Sequence, residues 1–286
     1  MPILVGRALD RLIDAQTRWA KPLGDWLHGL ADGIFGRMVP VRSLLNGTWL
    51  GHPVHSALTD VPIGALGLVI VFDLVGRPTA ADIALVVGVL ARLASAVVGY
   101  ADYSVTDGTA RTRATVHSML MVIALVIYLG SAALRAAGPT DRTAAVVLSV
   151  VAFAIVAAGA YVGGDVVFVL GNMVDRHAWR PTGAKWQPLD VGDIPEGTPV
   201  KAKVGLQNLV LVRLGDTIHA LHEQCAHAGG PLSGGRIVDG CIECPWHQSR
   251  FELATGRRRR GPTVYDQPAY EVRPADGGGY EVRRRS

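Results

Sequence analysis

Four runs of almost uninterrupted apolar side chains stand out along the chain, at about 54–75, 80–101, 115–136 and 143–163. Each approaches the roughly 20 residues that a helix needs to cross a bilayer. The breaks between them, Gly76-Arg77-Pro78, residues 102–113 and residues 138–142, mix turn formers with charge. The pattern predicts a four-helix transmembrane bundle with both ends on one side. Upstream, Leu9, Leu12, Ile13, Leu23, Leu27, Leu30 and Ile34 recur at helical intervals, with Trp19 and Trp26 among them. This predicts two amphipathic helices interrupted at Pro22, lying at the membrane surface or packed as a lid. Beyond the bundle the period changes to two. Short β-type runs at 200–204, 209–213 and 217–221, then around 235–238, 249–252, 269–273 and 279–282, are separated by Gly, Asn and Asp turns. The expected architecture is an α+β two-domain membrane protein. Its parts are an amphipathic region 1–50, a four-helix domain 51–175, a linker 176–187 and a small antiparallel β domain 188–286. The linker holds Trp179, Pro181, Gly183 and Trp186, with Trp186 expected at the membrane interface or against the first strand.

Composition sharpens this division. The 286 residues are 49% hydrophobic, more than an ordinary soluble chain, and the excess is confined to the four runs. No secretory leader is expected, because Asp10, Arg11, Asp14 and Arg18 interrupt any apolar stretch near the start. Arg37, Arg42, Arg111, Arg113, Arg176, Arg180 and Lys185 flank one face of the bundle, against Arg77, Arg135 and Arg142 on the other. That excess predicts a multi-pass protein of the cell membrane with both termini and the β domain in the cytoplasm. No nucleic-acid partner is expected.

The apolar half carries ionisable groups that need a reason to be there. His52 and His55 open the first run, beside Asp60, and His117 lies near the start of the third. In an antiparallel bundle these share a face with the ends of the second and fourth runs, where Asp102 and Asp165 lie. His52, His55, His117, Asp60, Asp102 and Asp165 thus form a candidate second site. Imidazoles from different helices could ligate haem b, hold a metal ion or hydrogen-bond a quinone; capping of helix starts in interfacial water is the plain alternative. Asp73 and Arg92, on neighbouring runs, are a candidate ion pair. Gly159 and Gly163 permit close helix contact in the fourth. This half resembles a family of uncharacterised four-helix bacterial membrane proteins that open on G-H-P-x-H and carry a later histidine on a helix.

The sharpest chemistry lies in the β half. Cys225-Ala-His227 is followed, after sixteen intervening residues, by Cys244-Pro-Trp-His247. Each half of the motif offers one sulfur and one nitrogen from a short loop, a set that zinc could also accept. The surroundings, Cys-Ala-His-Ala-Gly-Gly-Pro-Leu and Cys-Pro-Trp-His-Gln-Ser, closing at Gly261-Pro262, resemble the Rieske family in its ferredoxin-like and oxygenase-like branch. The resemblance implies a [2Fe-2S] cluster with Cys225 and Cys244 on a buried iron and His227 and His247 on an outer one, near the surface. Neutral imidazoles in place of thiolates raise the potential, to roughly −150 to +300 mV. Gln248 stands where that family usually has glycine. His219 and His222 are read as strand residues, and Cys241, the remaining cysteine, as a small buried side chain.

The resemblance implies single-electron transfer with a redox partner protein, a reductase or ferredoxin-like donor. A redox sensor and an electron-supplying component of an oxygenase system are the alternatives. About 24 residues follow Pro262, and no mononuclear-iron oxygenase domain is evident among them. Arg257, Arg258, Arg259 and Arg260, in a loop adjoining the cluster, are candidates for docking an acidic partner, unless they form only a solvated turn.

Overall fold

The computed structural model describes residues 2–138, 140–178 and 185–285; Trp179, Arg180, Pro181 and Gly183 of the expected linker lie outside the described residues. In chain order the helices are α1 (Pro2–Asp14), α2 (Thr17–Phe35), α3 (Val39–Asn46), α4 (Val54–Leu58), α5 (Asp60–Leu74), α6 (Pro78–Tyr103), α7 (Gly108–Ala136) and α8 (Thr143–Phe168). The chain divides into two compact units. One comprises Met1–Met38 and Val54–Asn172; the other joins Val39–Pro53, including α3, to Met173–Ser286.

The helical unit holds four helical stretches long and apolar enough to cross a membrane: Val54–Leu74, Pro78–Tyr103, Gly108–Ala136 and Thr143–Phe168. The first is broken into α4 and α5 because Pro62 has no N–H to offer the Leu58 carbonyl, and a new helix begins where proline fits its first turn. The third begins seven residues ahead of its apolar run. Its polar first turns are held by side chains: Arg111 donates to Asp25 at 3.0 Å, and Arg113 pairs with Asp14 and Asp165. Leu66, Val69, Leu85, Ala124, Tyr128 and Val156 form the interior.

Two expectations are corrected here. Pro22 does not end a helix, since α2 runs through it and the break falls at Ala15 and Gln16. The lost hydrogen bond is offset by packing: Tyr103 donates to the Gly24 carbonyl at 3.0 Å and Tyr100 to that of Leu27 at 3.1 Å. The α2 helix therefore packs on the bundle, with Trp26 on its outer face. Asp73 does not pair with Arg92. It takes two hydrogen bonds from Arg135, which also reaches Asp82, Ser131 and Ser149. A forked guanidinium within reach satisfies a buried carboxylate with two bonds, and Arg92 donates instead to Met121.

The second unit is built on strands β1 (Gln187–Leu189), β2 (Val200–Val204), β3 (Gln207–Leu214), β4 (Thr217–His222), β5 (Arg236–Val238), β6 (Cys241–Glu243), β7 (Arg250–Glu252), β8 (Arg258–Arg260), β9 (Ala269–Pro274) and β10 (Tyr280–Arg284). A six-stranded antiparallel sheet has the order β1-β10-β9-β4-β3-β2, and a bridge between Asp190 and Lys203 brings its two edges together. A four-stranded sheet, β5-β6-β7-β8, carries one ligand loop between β6 and β7 and receives the other, which follows β4. Strand β3 is buried on both faces. Leu209 and Leu211 face one core and Val210 and Val212 the other, where Cys225, Cys244, Ile242 and Phe251 also lie. Trp186 is sandwiched against β9 and β10, with the Arg273 and Arg283 guanidinium carbons 4.1 and 4.7 Å from its ring centre.

Candidate metal centre

The two ligand loops have one backbone plan. The Cys225 N–H donates to the Gly230 carbonyl and the Cys225 carbonyl accepts from the Gly229 N–H, both at 2.9 Å. The Cys244 N–H donates to Ser249 at 2.8 Å, and the Cys244 carbonyl accepts from the Gln248 N–H at 3.0 Å. Each loop turns through a residue with positive φ at the same offset, Gly229 at 82° and Gln248 at 65°. Glycine takes that conformation freely, whereas a side chain costs about 1–2 kcal/mol. Arg260 braces the exception, donating to the Gln248 carbonyl at 3.1 Å and to its side-chain oxygen at 3.0 Å.

Within each loop two backbone N–H groups point at sulfur, those of His227 and Ala228 at Cys225 and those of Trp246 and His247 at Cys244. Such a cradle suits a sulfur carrying negative charge. The Cys225 thiol is pushed well up, by its hydrogen bond to Cys244 and then by burial. The same bond, with the backbone donors, lowers Cys244 to about 7. Metal binding would displace the thiol protons. The His227 and His247 rings stand 5.0 Å apart, nearly perpendicular. Burial, with His247, Arg176 and Arg42 nearby, holds His227 well below the ordinary imidazole range, which favours its neutral form. Its Nε2 is buried and has no hydrogen-bond partner among the described residues. No three His, Cys, Asp or Glu side chains among the described residues group as ligands of one ion. The four donors stand instead as a sulfur pair and an imidazole pair, which fits two metal atoms better than one.

The expectation that both histidines lie at the surface holds only for one. His247 is half-buried beside the exposed Trp246, but His227 is 3% exposed. Residues from before the helical bundle join the β unit on this side. The Gly261 N–H donates to Ser43 Oγ, Thr48 Oγ1 donates to the Thr263 carbonyl and Arg258 Nε to the Thr48 carbonyl. Arg42, itself buried, lies near His227.

Other supports of the site were not legible in the motif. Gln267 accepts from the Ala226 N–H and donates to the carbonyls of His222 and Gln224. His177 shares the Gln224 carbonyl and lies 4.5 Å from the His222 ring. His222 itself belongs to β4, as does His219, and Cys241 is a buried free thiol in β6. The run Arg257–Arg260 is not a loop throughout, because β8 pairs with β7 across Arg258 and Arg260. Arg258 binds Asp266, Arg259 binds Glu252 and Arg260 binds the buried Glu243.

The second candidate group is brought together in part. In the helical unit, His55 and His117 stand 6.4 Å apart, centre to centre. Asp165 is taken by Arg113, Asp102 is buried in α6 and Asp60 is exposed in the first turn of α5. His52 falls in the other unit, exposed, with Nδ1 on its neighbour's carbonyl at Pro53.

Residues 185–271 match the Rieske [2Fe-2S] domain, and residues 51–176 match a predicted membrane protein family, DUF2231. The anthranilate 1,2-dioxygenase ferredoxin subunit of Burkholderia cepacia is 34% identical over 97 residues, spanning 34% of this chain and 90% of that protein. A ferredoxin component of naphthalene 1,2-dioxygenase and salicylate 5-hydroxylase systems from a Ralstonia species is 36% identical over 81 residues, 28% of this chain and 78% of its own. Among solved structures, the ferredoxin of carbazole 1,9a-dioxygenase from Nocardioides aromaticivorans IC177 is 30% identical, covering 32% of this chain and 86% of its own, with a TM-score of 0.29. With the paired donors, the matched domain and the two ferredoxin sequences give the chain a [2Fe-2S] cofactor and a role in electron transfer. The chain belongs to the Rieske [2Fe-2S] family through its C-terminal domain, which follows a domain of the DUF2231 predicted membrane family.

Proposed function

We propose that this is a membrane-anchored Rieske protein that exchanges single electrons between a soluble redox partner and an acceptor in or at the membrane. In this reading Cys225 and Cys244 hold one iron and His227 and His247 the other. The observation that carries it is the matched pair of ligand loops, each aiming two N–H groups at its sulfur. When bound, the cluster supplies a one-electron redox centre. The chain's own part is to cradle the sulfurs, keep His227 neutral and dry, and leave His247 and Trp246 as the side from which a partner can approach. The four apolar helices support a multi-pass anchor, and the flanking cations favour a cytoplasmic Rieske domain. Relatives named as ferredoxins of dioxygenase systems favour a protein partner, a reductase or an oxygenase.

Anaerobic purification in detergent, followed by EPR of the reduced protein, tests the ligand set. A rhombic signal with an average g below the free-electron value, lost in Cys225→Ser and altered in His247→Cys, is expected. Zinc bound stoichiometrically without iron would sink the reading. Docking of an acidic partner is assigned to Arg257 and Arg259, the two outward members of the basic run. Charge reversal of both should flatten the salt dependence of electron transfer, and an unaltered salt dependence would remove the run from the interface.

A further inference from the structure

A second pair of facing histidines lies inside the helical unit. His55, on α4, and His117, on α7, come from segments far apart in sequence, yet their rings stand 6.4 Å apart at 83°. Each is tied by its inner nitrogen to a helix backbone, His55 Nδ1 to the Ser95 carbonyl at 3.0 Å and His117 Nδ1 to the Gly159 carbonyl at 2.7 Å. A carbonyl can only accept, so Nδ1 carries the proton in both rings and each Nε2 keeps its lone pair. Metal-ligating histidines are oriented by this same kind of outer hydrogen bond. The space for the rings is reserved. A Cβ on Gly99 would come within 2.7 Å of the His55 ring, and one on Gly163 within 2.8 Å of the His117 ring.

Two imidazoles on opposite sides of one metal have ring centres about 6 Å apart, given metal–nitrogen bonds of about 2 Å and a ring radius of about 1 Å. The observed separation matches that arrangement. No third His, Cys, Asp or Glu joins them among the described residues, so an ion that needs four protein ligands is poorly served. A porphyrin iron is well served, because the macrocycle fills four positions and leaves two for the protein. Nearby, Arg92 is 7% exposed and donates to the Met121 carbonyl and sulfur, both neutral. Among the described residues no carboxylate pairs with it. The Met121 methyl is in turn the nearest neighbour of Gly159, whose carbonyl holds His117. A buried cation without a counter-ion is costly, and a propionate would supply the missing charge. We propose that His55 and His117 are the axial ligands of a haem, with Arg92 positioned for its anionic edge.

The test uses the full-length protein, purified in detergent from cells grown with haem precursor. The expected result is a Soret band with a low-spin, six-coordinate spectrum and one haem per chain by pyridine haemochrome. His55→Gly and His117→Gly should each lose at least ten-fold in haem content or become high-spin, with added imidazole restoring the low-spin spectrum. Imidazole rescue would separate ligation from a merely structural loss. Absence of a Soret band, a spectrum indifferent to both substitutions, or stoichiometric copper or zinc in place of haem would each overturn the proposal. Cys225→Ser should lose the cluster EPR signal and keep the Soret band, so this proposal and the cluster reading fail separately.

Discussion

Gln248 shows how much one residue can reveal about a loop. It stands at the offset that Gly229 holds in the first ligand loop, with φ of 65° against 82°. Two effects oppose each other there. Glycine would relieve about 1–2 kcal/mol of backbone strain, but it would lose the bond from Arg260 to the side-chain oxygen, a partly exposed contact worth about 1 kcal/mol. Gln248→Gly is therefore expected to change domain stability by less than about 1 kcal/mol. Gln248→Val, β-branched and unable to meet Arg260, should cost about 2 kcal/mol or more. Denaturant melts of the two variants decide this, and equal midpoints would remove the strain argument. The four proposed ligands stand out in the sequence because their spacing is local. Gln267 and Arg42 were not, since each reaches the ligand loops from far along the chain and no short motif records such a contact.

At the scale of elements, the four-stranded sheet is held by a buried carboxylate. Glu243 of β6 is 4% exposed by side chain and takes Arg236, Arg250 and Arg260, from β5, β7 and β8. Burial pushes its carboxyl up, but the hydrogen bonds from Arg250 and Arg236 and the charge of Arg260 outweigh that and hold it below the ordinary range. A carboxyl lowered in the folded state contributes stability that is present above its unfolded pKa and disappears as pH falls through the folded value. Glu243→Gln should cost about 2–4 kcal/mol near neutrality, leaving three guanidiniums without their shared anion. The loss should shrink in acid, and a pH-independent difference in melting would refute the assignment. Part of the run expected as a loop, Arg257–Arg260, became β8 for this reason: polar side chains give no alternating pattern, and the strand is specified by the partners it meets. The four apolar helices were legible because burial in lipid demands length and composition. The early start of α7 was not, because ion pairs rather than apolar side chains hold its first turns.

At the scale of the whole chain, the Rieske unit is discontinuous. Val39–Pro53 precedes the helical bundle but packs with Met173–Ser286, and Gly261 lies close against it. A Cβ there would lie 2.2 Å from Thr48 Oγ1 and 3.2 Å from Ser43 Oγ. Gly261→Val is expected to displace the segment, uncover His227 and accelerate reduction of the cluster by dithionite several-fold. Stopped-flow bleaching with Trp49 fluorescence as the position marker would show this; a displaced segment with an unchanged rate would mean that something else shields the histidine. The arrangement also sets an order of events during synthesis. The ribosome finishes Ser43 and Thr48 first, then makes all of 54–172, and only afterwards the strands that receive them. At about 5–20 residues per second that delay is on the order of ten seconds. Throughout it the early segment has no partner in its own unit, and the cluster loops have not yet been made. Iron insertion in this protein is therefore a late step, and a fragment begun at Met173 would lack the piece of backbone on which Gly261 closes.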